Sequence, residues 1–213
     1  MRASLKIIED NSTISKRIIK ELKTQLLPIL TYAFTKSQQE ITQIVQQAIV
    51  NSETYQSLSN GQLKAEFGLP DSDNRLDGIL NFWTNIYAKF DKPRVSNNQI
   101  SGGFKIGMIQ KDFKDVLGLP EASFITSKKD RLDWLEWLLL FGNKTIIKDY
   151  EVTFGNYRTS RTGMAIMRGV TQGKWSVPSQ YAGTLNNNWI TRVIDSLDQS
   201  IMTILEKNIK EAL

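Results

Sequence analysis

Apolar residues recur with helical spacing over residues 4–50. Ile14, Ile18, Leu22 and Leu26 fall at i, i+4, i+8 and i+12, with Ile19 and Ile29 beside them, so one helix face carries the run. A second stripe follows at Ile41, Ile44, Val45, Ala48 and Ile49, and no glycine occurs before Gly61. Pro28 interrupts the pattern. Its fixed φ and missing N–H predict a kink there, or the boundary between two helices. Two roles suit such a segment: packing on a sheet, or acting as an arm that contacts neighbouring subunits.

Beyond a polar connector over residues 51–60, Gly61 to Phe67 predicts a short helix stopped by Gly68, the usual helix-ending residue. Leu69-Pro70-Asp71 then turns the chain. Ile79, Leu80, Trp83, Ile86 and Tyr87 predict a helix from about Asp73 that fades into extended chain near Lys89. Over residues 95–109 the pattern changes period. Ile100, Phe104, Ile106 and Met108 share one parity, which predicts a strand, with Gly102-Gly103 as a bulge or tight bend. Residues 111–117 predict one or two helical turns ended by Gly118, and residues 121–126 a short strand.

Residues 131–141 hold Trp134, Leu135, Trp137, Leu138, Leu139 and Leu140, a compact helix that is apolar around most of its circumference. Such a helix is buried in a core or forms half of an interface. A further strand is predicted over 144–154, then two short ones around Met164–Met167 and Lys174–Val177, separated by a turn bounded by Gly169 and Gly173. Thr184 is the expected N-cap of the last helix, and the run Asn186 to Asn188 favours a helix start. That helix carries Ile190, Ile194, Leu197, Ile201 and Ile204, spaced alternately by four and three, a seam suited to packing against the N-terminal helix. The fold expected is α+β: a central antiparallel sheet of three to five strands flanked by long N-terminal and C-terminal helices. The domain division expected is a helical arm over 1–52 and an α+β core over 53–213.

Composition narrows the function. The 213 residues are 40% apolar and 23% charged, as in ordinary globular proteins, and no apolar run approaches a membrane span. No apolar leader follows Met1, so a cytosolic origin is expected. Cysteine and histidine are both absent. That removes disulfides, thiolate and imidazole metal ligands, and any triad built on histidine. No P-loop, dinucleotide fingerprint, zinc-protease or EF-hand motif occurs. No catalytic, cofactor-binding or metal-binding residue is expected, and no enzyme. A carboxylate-and-metal nuclease is the remaining catalytic reading, but Asp112, Asp115 and Asp133 have no recognisable ligand spacing.

The net charge is +5, yet the basic residues are scattered where a nucleic-acid groove would concentrate them. The best anion-binding candidates are Arg158 and Arg161, around the turn Ser160-Arg161-Thr162-Gly163, together with Arg168 and Lys174. Trp134, Trp137, Trp175 and Trp189 are the candidates for subunit contacts.

Several segments, taken in order, resemble the neck or tail-completion proteins of tailed bacteriophages, the tail-component and virion-morphogenesis families. They are Ser160-Arg161-Thr162-Gly163 with Ala165-Ile166-Met167, Trp175-Ser176-Val177-Pro178, Ala182-Gly183-Thr184, and Asn188-Trp189-Ile190-Thr191-Arg192. Supporting segments run from Gly61 to Asp71 and from Trp134 to Leu139. The resemblance implies a structural protein of the virion, assembled in the host cytoplasm. It would be a small α+β subunit forming a homo-oligomeric ring, of six or twelve copies, at the head–tail junction. Connector, stopper and tail-terminator proteins are the implied partners, with non-specific contact to DNA in the channel, no membrane and no cofactor. The alternative is a non-specific nucleic-acid-binding protein, suggested by the basic balance.

Overall fold

A computed structural model describes residues 10–85, 87–107 and 113–213. It is a mixed helix and sheet protein with a long helix at each end. In place of a central sheet, the described residues form three separate antiparallel strand pairs. The chain divides into two compact units.

The first unit gathers helix α1 as far as Ile41, the β1–β2 hairpin, and the last helix from Ser200. α1 runs unbroken from Asn11 to Asn51, through Pro28. Pro28 is exposed, so the carbonyl it deprives of a donor is within reach of water, and the helix continues where a boundary was expected. Strands β1 (Tyr87–Ser96) and β2 (Gln99–Gly107) pair around Asn97-Asn98. Both asparagines have positive φ, near 50° and 57°, as a two-residue hairpin turn requires. The single strand expected over 95–109 therefore contains this turn, while Met108 and Ile109 lie outside the described residues. The expected glycine bulge is present: the register shifts between Asp91 and Arg94, opposite Gly102. Phe34 of α1 stacks on Phe90 at 5.5 Å and meets Phe104 at 5.8 Å.

The second unit comprises Thr42–Asn85 and Ile109–Gln199. It holds α2 (Glu53–Asn60), α3 (Gln62–Phe67), α4 (Ser72–Thr84), α5 (Lys114–Leu117), a 3-10 turn at Pro120–Ala122, β3 (Phe124–Ile125), β4 (Arg131–Leu132) and α6 (Trp134–Leu140). β5 (Ile147–Phe154), β6 (Ala165–Trp175) and α7 (Trp189–Asp195) complete it. α3 ends where expected, with Gly68 in the left-handed region at φ 58°. The two short strands expected near 164–177 are parts of one strand, β6. Its pairing with β5 jumps from Lys148–Lys174 to Tyr150–Gly169, so residues 170–173 bulge out where the glycine-bounded turn was predicted.

The final helical segment is two helices, α7 and α8 (Asp198–Ala212). Asn188, not Thr184, caps α7. Its Oδ1 accepts from the amides of Ile190 at 3.0 Å and Thr191 at 3.2 Å, and the Thr191 hydroxyl accepts from the Asn188 amide. This reciprocal pair satisfies three donors at once. Thr184 instead closes a small bridge with Asn187.

The core of the second unit is tryptophan-rich. Trp83 and Trp189 meet edge to face at 5.3 Å and 87°, and Phe67 lies 6.2 Å from Trp134 and 5.7 Å from Trp175. Such pairs add about 0.5–1.5 kcal/mol beyond their buried area.

Candidate functional site

The tryptophans expected at a subunit interface are mostly committed to this core. Trp134, Trp175 and Trp189 are 0%, 6% and 2% exposed, leaving little surface to offer a neighbour. Each indole is also satisfied internally. Trp134 Nε1 donates to the Glu121 carbonyl at 2.8 Å, Trp175 Nε1 to Glu66 Oε2 at 2.9 Å, and Trp189 Nε1 to Ser52 Oγ at 2.8 Å. Trp137 is the exception. It is half-buried, meets Trp175 edge to face at 6.3 Å, and faces a groove.

That groove, of about 460 Å³, is a place on the second unit's surface where polar and aromatic groups converge. Its lining comes from α3 and Gly68, from Trp137 and Trp175, and from Ser127, Lys128 and Asp130 between β3 and β4. Arg161 and Glu66 both line it. Local sequence places Glu66 there: α3 is a single-sided helix in which Leu63, Ala65, Glu66 and Phe67 are all buried, so this acid is drawn inward with its apolar neighbours.

The four candidate cations separate. Arg161 turns to structure: its Nε donates to the Gly68 carbonyl at 2.9 Å and its Nη2 to that of Phe67 at 3.4 Å. Its Cζ lies 5.3 Å from the centre of the Phe124 ring. Partial burial lowers its pKa from the ordinary arginine value, though it remains a cation at neutral pH. The turn that presents it holds Gly163 at φ 75°, with the Ser160 hydroxyl bound to the Ala165 carbonyl. Arg168 stands over Tyr157, its Cζ 5.6 Å from the ring centre, and opposite Glu151 in the strand register. Arg158, adjacent to that tyrosine, is exposed. Lys174 is exposed beyond the bulge, opposite Lys148. Of the four, Arg168 alone lies over Tyr157, with Arg158 next to that ring in sequence, while Arg161 is turned to Gly68 and Phe67.

Arg75 is a functional-looking cation that the pattern of residues does not single out. Its Nε donates to the Pro70 carbonyl at 3.0 Å and its Nη1 to that of Ser123 at 2.8 Å. Its Cζ lies 5.5 Å from the Phe124 ring, so Phe124 takes two guanidinium groups.

Among the described residues no three acidic side chains gather in a way that could hold a metal ion; Asp112 lies outside them. No described helix is long and apolar enough to cross a membrane. No protein family, no curated protein and no solved structure matches the chain.

Proposed function

We propose that this chain is a structural subunit of a tailed-phage virion, ring-forming, at the neck or tail-completion position of the head–tail junction. The observation that carries the reading is the first half of α1. From Asn11 to Tyr32 no residue is buried, yet Ile18, Leu22, Leu27 and Tyr32 are 54%, 45%, 38% and 48% exposed. The helix α8 runs antiparallel to α1, as Lys36–Glu211, Ser37–Asn208 and Glu40–Lys207 show, and it ends at Ala212. Residues 11–32, roughly 33 Å of helix, extend past that end. An apolar stripe of this length without cover suits a subunit that is completed by its neighbours.

The residues behind the resemblance support the same reading by their roles. Asn188, Trp189, Trp175 and Gly183 serve capping and packing, not chemistry. Light scattering on the purified chain, with negative-stain images, tests the proposal. A closed ring of six or twelve copies is the expected result. The pairing of exposed Arg168 with Tyr157, with exposed Arg158 next in sequence to that ring, favours non-specific nucleic-acid binding as the second reading. A monomer that holds DNA at about 150 mM salt replaces the first reading with the second.

A further inference from the structure

Glu66 is a buried charge that the fold leaves without a counter-charge. It is 8% exposed, and both oxygens are engaged by neutral donors: Oε2 by Trp175 Nε1 at 2.9 Å and Oε1 by Gln62 Nε2 at 2.6 Å. Among the described residues none of its neighbours forms an ion pair with it. A carboxylate offers about four acceptor positions, so two neutral donors leave roughly half of its capacity open. A buried ion is tolerated when it is paired, and this one lines an open groove.

We propose that the groove is a binding site for an alkylguanidinium or alkylammonium group, with Glu66 as counter-ion and Trp137 as the surface on which the cation's stem lies. Three features of the groove fit that guest. Its volume, about 460 Å³, lies in the range of small-ligand sites. Trp137 is half-buried and presents indole, the best ring for a cation, against the same space. Cations already in the lining do not fill the role. Arg161 spends its Nε and Nη2 on the carbonyls of Gly68 and Phe67, and Lys128 shares the lining with the opposite charge of Asp130. An arginine or lysine side chain of a partner polypeptide and a free amine carry the same chemistry.

The test titrates the full chain with Nα-acetyl-L-arginine N-methylamide, and with its neutral isostere built on citrulline, by calorimetry and tryptophan fluorescence. A charge-assisted bond to a desolvated carboxylate predicts that the arginine probe binds at least about tenfold more tightly than the citrulline one. Glu66→Gln keeps an acceptor for Trp175 and removes the charge; it brings the ratio of the two affinities to about one. Trp137→Leu alters a half-buried ring and leaves Glu66 in place; it weakens the arginine probe at least about threefold. Equal binding of the two probes, no saturable binding, or a ratio that survives Glu66→Gln in a chain that melts like the natural one overturns the proposal. The same arginine within a ten-residue Gly/Ser peptide separates the sources: tighter binding than the capped residue assigns a polypeptide guest, and no gain assigns a free amine. Neither arm depends on ring formation, so failure here is distinct from failure of the virion reading.

Discussion

Asn208 of α8 donates to the Ser37 hydroxyl of α1 at 3.1 Å, and both side chains are fully buried. A polar pair between two otherwise apolar helix faces fixes which residues of one helix lie against which of the other. The pair is incomplete, because Asn208 Oδ1 has no hydrogen-bond partner among the described residues.

Ser37→Ala strands the Asn208 amide as well and costs about 1–3 kcal/mol in urea unfolding. Ser37→Ala with Asn208→Leu removes both polar groups and recovers most of that loss. A double variant no more stable than the single one contradicts the account.

Two glycines separate steric from conformational cost. A Cβ on Gly183 meets the Leu138 and Leu139 carbonyls at 2.7 and 2.8 Å and Asn188 Cβ at 2.6 Å. Gly183→Ala must shift backbone of α6 and the cap of α7 together, a loss of about 3 kcal/mol or more. At Gly163, with φ 75° and nothing within 4 Å, alanine meets only the left-handed backbone penalty, about 1–2 kcal/mol. Thermal melts of both variants check the order.

Arginine-to-serine changes distinguish two of the candidate cations, Arg161 and Arg158, by stability alone. Arg161→Ser removes two hydrogen bonds and one face of the Phe124 clamp, and lowers stability by about 1–3 kcal/mol. Arg158→Ser, at an exposed position, stays within about 0.5 kcal/mol. If both variants also leave DNA retention by assembled particles unchanged, neither arginine faces a DNA channel.

The surface pair Lys36–Glu211 gives a sign for pH dependence. The hydrogen bond from Lys36 lowers the Glu211 pKa, and the same bond to Glu211, with a smaller one involving Tyr32, raises that of Lys36. A lowered carboxylate pKa contributes stability above the ordinary carboxylate range and loses it as pH falls through the folded value. A raised lysine pKa contributes below the ordinary lysine range and loses it as pH rises through the folded value. The pair's contribution is therefore flat from about pH 5 to about pH 10 and declines on both sides. Comparison of Glu211→Gln with the natural chain across that range checks the shape: the two stability curves run parallel in the window and converge outside it.

Local rules made part of this fold legible. Gly68 ends α3 because a left-handed cap is open to glycine, and the polarity of Asn186 to Asn188 announced a helix start. Only the three-dimensional fit of side chain to amide selected Asn188 over Thr184. Partners distant in sequence stayed hidden. Nothing near Glu66 announces that an indole 109 positions later will hydrogen-bond to it. In the same way Arg75 finds its acceptors 45 to 48 residues downstream. The strand count misled for a related reason. Alternation marks strands but does not say which of them pair, and among the described residues each pairs with one neighbour, leaving three ribbons where a sheet was expected. Trp134, Trp175 and Trp189 were legible as large apolar groups, but not as donors whose N–H groups meet particular interior acceptors.

The uncovered half of α1 also bears on timing. No residue from 11 to 32 is buried, so the helicity of this stretch rests on its own backbone ladder and on local terms such as the Asp10 carboxylate on the Thr13 amide; the threonine hydroxyls that return to the carbonyls of Lys20 and Leu27 do not add to it. Such a stretch is marginal in water by itself. Pro28, which supplies no amide, weakens it toward its C-terminal end. Order in this segment then accrues when a surface covers it, so in the proposed ring each newly seated copy would present a firmer template than a free one. Growth of such a ring would be slow to begin and fast to finish, and stray chains would lie dormant until an edge was waiting.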